Sequence, residues 1–143
     1  MTPAAIQEKF EQHNISRVKL GAFDLDGLLR GKYISLEKFW SAVEGGLGFC
    51  DVIFGWDIGD VLYDNVKFTG WHTGYPDGPA RIDLSSFRLI PWEPGTAFFL
   101  LDLLDREGQP LALSPREVLR REKVPAAAGD LADHVYRQAV TAA

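Results

Sequence analysis

The residues best suited to chemistry stand early, where an apolar run closes on Phe23-Asp24-Leu25-Asp26-Gly27. Two carboxylates one residue apart at the end of a strand are a pattern suited to phosphoryl transfer. The other candidates are sparser. His13, His72 and His134 are scattered without ligand spacing, and no Glu-x-Glu strand or glycine-rich phosphate loop occurs. The single cysteine, Cys50, sits in the apolar run 49–54 with no His or basic residue nearby. It reads as a packed thiol in preference to a nucleophile.

The Asp24-x-Asp26-Gly27 pattern resembles the nucleophile loop of haloacid-dehalogenase-type phosphatases, which implies a first Asp that attacks phosphorus, a second that handles protons and Mg²⁺ that neutralises the charge, but its context opposes that chemistry. A second extended run follows at once where a loop and helix would be needed. Gly27 leads into Leu28 and Leu29 with no hydroxyl residue, and no paired-carboxylate motif ends a later strand. Val18, Leu20 and Ala22 alternate with Lys19 and Gly21. On the far side, Leu28, Arg30 and Lys32 alternate with Leu29 and Tyr33. With Asp26-Gly27 as the turn pair that tolerates positive φ, residues 18–34 predict a β-hairpin.

The elements that must position these groups fit one domain. A chain of 143 residues buries roughly two-thirds of its unfolded surface. With 46% hydrophobic and 24% charged residues it has the composition of a soluble globular protein. A net charge of −5, with basic residues gathered only around Arg116, Arg120, Arg121 and Lys123, argues against a nucleic-acid surface. The N-terminal stretch carries Gln7, Glu8, Lys9, Glu11 and Gln12 where a signal peptide has its apolar core, and no apolar run is long enough to span a bilayer. A cytoplasmic address without membrane partners is the expectation.

Residues 3–13 predict a helix that starts at Pro3 and presents Ile6 and Phe10 on one face. After the hairpin, Ser35 caps a second helix whose stripe of Leu36, Phe39, Trp40 and Val43 belongs to the core, and Gly45-Gly46 ends it. Residues 49–56 predict a strand by their β-branched and aromatic content. The pattern then dissolves over residues 55–80, which are rich in glycine, aspartate and the aromatics Trp56, Tyr63, Phe68, Trp71 and Tyr75. A loop of this length is functional or disordered, and its aromatics argue for an ordered loop packed against something, another subunit included. Arg81 and Arg88 are candidate partners for its aspartates. Strands follow at 82–91 and 96–104, separated by the turn Trp92-Glu93-Pro94-Gly95, with a short strand at 111–113. Ser114-Pro115-Arg116-Glu117 opens a helix reaching about Lys123, with Val118 and Leu119 as its apolar face. Residues 124–143 read as an alanine-rich linker and a marginal helix.

Hairpin, helix, strand, long loop, two strands and exit helix describe an α+β fold, a β-grasp-like mixed sheet partly covered by helices. In this order the motifs resemble the N-terminal β-grasp domain of glutamine synthetases, and most closely a branch of glutamine-synthetase-like proteins that includes γ-glutamyl-amine ligases. They are Phe23-Asp24-Leu25-Asp26-Gly27 with Arg30-Gly31-Lys32, Gly46-Leu47-Gly48-Phe49, Phe54-Gly55-Trp56-Asp57 and Tyr63-Asp64-Asn65. Further on come Thr69-Gly70-Trp71-His72-Thr73-Gly74-Tyr75-Pro76-Asp77, Leu89-Ile90-Pro91-Trp92 and Ser114-Pro115-Arg116. The match covers residues 15–123. It divides the chain into an N-terminal helix (1–14), a β-grasp domain (15–113), an exit helix (114–123) and a divergent tail (124–143), with the catalytic domain absent.

The resemblance implies an ATP-dependent ligase that activates the γ-carboxyl of glutamate for attack by ammonia or an amine. ATP and Mg²⁺ or Mn²⁺ are implied for the full-length family and none for this chain. The implied partner is a glutamine-synthetase-type catalytic domain or a neighbouring subunit, whose active site the loop after the third strand closes, offering an acid to the ammonium. That acid best matches Asp57, with Asp60 and Asp64 as alternates. Aligning Ile58-Gly59 with the family's Ile-Gly puts it on Phe54, which leaves ammonia or amine open as the acceptor. The plain reading of Asp57 is a solvated carboxylate or a turn cap, and that of His72 is a loop histidine packed by aromatics. The alternative for the whole chain is a non-enzymatic β-grasp module that binds a protein.

Overall fold

The computed structural model describes residues 1–121. The tail 124–143 and the predicted end of the exit helix near Lys123 lie outside the described residues. Five strands form one mixed sheet in the order β2-β1-β5-β4-β3. They are β1 (Arg17–Phe23), β2 (Leu29–Ser35), β3 (Leu47–Cys50), β4 (Asp77–Leu89) and β5 (Thr96–Leu103), accompanied by helices α1 (Pro3–Gln12), α2 (Leu36–Gly45) and α3 (Pro115–Arg121). β1 and β5 run parallel at the centre, and every other pairing is antiparallel. This is the predicted β-grasp-like α+β arrangement.

Local chemistry sets both long helices. The Thr2 side chain accepts from the Ala5 amide with Pro3 in the first turn, and Ser35 Oγ accepts from the Lys38 amide at 3.2 Å. Gly46, at φ +73°, ends α2. Ile6 and Phe10 of α1 and Phe39 and Ala42 of α2 are buried against Val18, Leu20 and Ala22 of β1 and Ala97, Phe99 and Leu101 of β5. The rings of Phe10, Phe39, Phe87 and Phe99 meet at centroid distances of 4.9–6.5 Å. The stripe on α2 is core, as predicted.

The hairpin forms around a larger turn than a two-residue one. Asp24 amide donates to the Leu28 carbonyl, and Asp24 Oδ1 accepts from the amides of Asp26 (3.0 Å) and Leu28 (2.8 Å). Gly27 supplies the positive φ, +80°. Gly31 stands opposite Gly21, and a Cβ there would come within 2.3 Å of the Leu20 carbonyl oxygen, so this crossing admits no side chain.

Several predicted boundaries are corrected. The strand expected over 49–56 is β3, which stops at Cys50. A single 3-10 turn, Asp51–Phe54, follows and buries Ile53 and Phe54. β4 begins at Asp77, ahead of the expected Ile82, because Gly78 and Pro79 pair with Phe49 and Gly48 on the edge strand β3. Residues 111–113 are not a strand, and only an isolated bridge joins Pro110 to Leu104.

α3 departs most from expectation. Val118 is exposed, Leu119 is 75% exposed, and none of the helix's residues is buried. Charge fastens it instead. Asp102 alternates with the buried Leu101 and Leu103 and so points from the opposite face of the sheet to α1 and α2. There Arg116 pairs with both Asp83 and Asp102, and Arg120 donates to the Asp102 oxygens at 2.8 and 2.9 Å. Partial burial pushes the Asp83 carboxyl up, but hydrogen bonds from Ser85 and Arg116 outweigh it and hold the group down at about 2. Asp83 therefore contributes its full stabilisation above its ordinary value of 3.8 and loses it as pH falls toward 2. Thermal melts from pH 5 to pH 2 should show this loss, and Asp83→Asn should flatten it. An unchanged profile in Asp83→Asn would contradict the pairing.

Candidate functional site

The long segment between β3 and β4 is ordered by its own contacts. The buried Thr69 hydroxyl donates to Asp51 Oδ1 at 2.5 Å, Phe68 meets Phe54 edge-on, and the Asp51 amide reaches the Pro76 carbonyl. Cys50 Sγ donates to the Tyr75 carbonyl at 3.3 Å, in keeping with a packed thiol. A bridge between Trp56 and Leu62, with the Tyr63 amide on the Gly55 carbonyl, closes the short excursion 57–61.

Asp57 begins that excursion. Its Oδ1 accepts from the amides of Gly59 (2.8 Å) and Val61 (3.0 Å), and its own amide donates to the Val61 carbonyl. The carboxylate thus caps its turn, as the plain reading held. Its second oxygen, Oδ2, has no hydrogen-bond partner among the described residues. Asp60, at φ +62°, turns its side chain back onto Arg30. On the turn's outer side, Ile58 is 69% and Val61 62% exposed.

Arg30, projecting from β2, joins this turn to the hairpin. Its Nε donates to the fully buried Asp24 at 2.8 Å, and its guanidinium lies 4.9 Å from the Trp56 ring centroid. The hydrogen bond Arg30 donates to Asp24 leads in raising the Arg30 pKa above its ordinary value, so the cation is secure. Tyr63 closes the other side: burial first, then the carboxylates of Asp26 and Asp57, push its phenol up. Asp57 and Asp60 are therefore brought together, and Asp24, first considered as a nucleophile, becomes their anchor.

Asp64 is not part of this group. It lines a separate depression of about 410 Å³ with Tyr63, Val66, Trp71 and His72. His72 Nε2 meets the Lys67 carbonyl at 3.2 Å beside a Trp71 that is 82% exposed. Arg81 and Arg88 form no ion pair with a loop aspartate among the described residues, and Arg88 turns to the Phe87 carbonyl. Sequence reasoning missed Arg30 in their place. Among the described residues no three His, Cys, Asp or Glu side chains gather as a cation site. No described helix is long and apolar enough to cross a membrane.

Fold and site thus define a β-grasp domain carrying an acid on a braced loop. No family model matches the chain. Relatives do: it is 57% identical over 104 residues to type-1 glutamine synthetase 2 of Dictyostelium discoideum, covering 73% of this chain and 20% of that protein. It is 44% identical over 117 residues to glutamate–isopropylamine ligase of Pseudomonas sp, covering 81% and 26%. Gamma-glutamylethanolamide synthetase GlnA4 of Streptomyces coelicolor is 33% identical over 110 residues, covering 76% and 24%. The chain belongs to the glutamine synthetase family, beside its glutamate–amine ligases. It spans a fifth to about a quarter of these relatives' length. The fold agrees with GmaS free of ligand, at TM-score 0.59 and 22% identity over 83% of this chain and 24% of that one. It agrees likewise with GmaS in complex with ADP, at TM-score 0.60 over 86% and 25%.

Proposed function

We propose that this chain is the N-terminal β-grasp domain of a glutamine-synthetase-like ligase that joins glutamate to ammonia or an amine, and that it completes the active site of a neighbouring subunit. The observation that carries this reading is the Asp57 turn. It offers a carboxylate oxygen with no partner among the described residues, on a turn that also leaves the apolar side chains of Ile58 and Val61 in water. The relatives' names supply the chemistry. An amine nucleophile arrives as an ammonium cation and must lose a proton before or as it attacks the activated γ-carbonyl. A fixed carboxylate binds the cation and takes that proton. In this reading ATP and Mg²⁺ or Mn²⁺ belong to the remainder of the ligase, where they activate the γ-carboxyl, and the assembly works in the cytoplasm.

The test is a chimera in which this chain replaces the matching segment of the Pseudomonas ligase. The chain alone should form no amide from glutamate, ATP and ammonia or isopropylamine, whereas the assembled chimera should form it. Turnover by the chain alone would refute the proposal. A folded, assembled but inactive chimera would also refute it and favour the protein-binding module, which the exposed Trp71 and Trp92 suit.

A further inference from the structure

We infer that Arg30 is a positioning residue, whose planar guanidinium sets the Asp57 turn against the sheet through three acceptors no other side chain could serve together. This inference rests on the reading that Asp57 serves the ligase reaction. Nε holds Asp24 Oδ2 at 2.8 Å, Nη1 holds Asp60 Oδ1 at 2.5 Å, and Nη2 holds the Asp57 carbonyl at 3.1 Å. The last two cross from β2 to residues 30 and 27 positions further along the chain. To finish the hairpin, the pair with Asp24 would suffice, so these outer two bonds serve the turn.

The arrangement is fixed at its root. Asp24 is wholly buried, with Oδ1 committed to the Asp26 and Leu28 amides and Oδ2 to Arg30. The Arg30 side chain is only 16% exposed, with the Trp56 ring beneath its plane. The turn itself is ordered internally by the two bonds to Asp57 Oδ1 and has no core of its own, since Ile58, Gly59, Asp60 and Val61 are all exposed. Its shape is thus local, while its placement comes from the short Trp56–Leu62 bridge and from Arg30. A lysine would keep the charge beside Asp24. As a compact point charge it cannot serve three separated acceptors in one plane.

The experiment is amide exchange on the full chain, comparing a peptide over residues 55–64 with one over the hairpin. In Arg30→Lys the loop peptide should exchange about tenfold faster while the hairpin peptide keeps nearly its original rate. Asp60→Asn, on an exposed side chain that folding does not need, should give a smaller acceleration in the same peptide. No acceleration in either variant, or an equal loosening of hairpin and loop, would overturn the inference. In the Pseudomonas chimera, Arg30→Lys should lower kcat with the KM for glutamate unchanged, a split that general destabilisation would not produce. Faster loop exchange with kcat unchanged would sustain the positioning of the turn and sink the catalytic reading of Asp57.

Discussion

Phe99→Ala should lower the stability of the domain by about 3–5 kcal/mol. Phe99 is fully buried on β5, the strand flanked by β1 and β4, and its ring meets Phe39 at 4.9 Å, Phe87 at 5.6 Å and Phe10 at 6.2 Å. Each neighbour sits on a different element: α2, β4 and α1. Removing the ring opens a cavity whose walls are held apart by separate backbones, so it cannot collapse, and the packing contacts are lost together with the transfer free energy. Against a typical stability of about 5–15 kcal/mol, this is a large fraction. The melting temperature should fall by roughly 10–25 °C. Urea titration should show a lower midpoint at an unchanged slope. A loss below about 1 kcal/mol would mean that the four-ring cluster does not hold helices to sheet. Leu119→Ala, on the exposed side of α3, is the contrast and should stay within about 0.5 kcal/mol of the parent.

That contrast marks how far the sequence could be read. Helices α1 and α2 are legible because starts and stripes are local: Pro3 with Ile6 and Phe10, and Ser35 with Phe39 four residues on, all act within one or two turns. The hairpin was legible by alternation, and Val18, Leu20 and Ala22 are the residues it buries. The β1–β5 pairing joins Arg17 to Thr96, and such contacts leave no periodic trace. The strand-like composition of Val52, Ile53 and Phe54 predicts strand where the 3-10 turn Asp51–Phe54 forms, and the burial of Ile53 and Phe54 accompanies the return of Thr69 onto Asp51. Val118 and Leu119 predict an apolar face for α3 because helices usually dock that way. Here Arg116 and Arg120 dock it on two aspartates from neighbouring strands, and charge complementarity between distant residues has no sequence period.

The candidate site divides along the same line. Asp57 was reachable through motif resemblance, and its capping role through the ordinary habits of aspartate in turns. Arg30 was in view only as part of a motif. Its significance depends on Asp24 of the hairpin and Asp57 and Asp60 of the later turn converging on one guanidinium, which only the folded sheet reveals. The same convergence explains why Asp24-x-Asp26-Gly27 resembles a phosphoryl site without being placed as one. The first aspartate is spent on two amides and a buried cation, with no lone pair directed at solvent.

In the assembled chimera, Asp57→Asn should cut kcat/KM for the amine by about 10²–10³-fold, with much smaller changes in the KM for glutamate and ATP. Asparagine is the informative replacement because it matches aspartate in shape and retains a carbonyl oxygen that can accept from Gly59 and Val61. The turn therefore keeps its form, and the Asp57 backbone carbonyl remains available to Arg30. What disappears is the negative charge, which the proposal uses to hold ammonium and receive its proton. Asp60→Asn should cost less, since that carboxylate is committed to Arg30, and Asp64→Asn least, since Asp64 faces the separate depression near His72. The three variants, compared at saturating glutamate and ATP over a range of amine concentrations, rank the acids directly. If Asp57→Asn stays within about threefold of the parent while its loop exchanges amides at the parental rate, the carboxylate is a turn cap and nothing more. A large loss with the loop undisturbed leaves charge at Asp57 as the cause, because the substitution spares every hydrogen bond the structure gives that side chain.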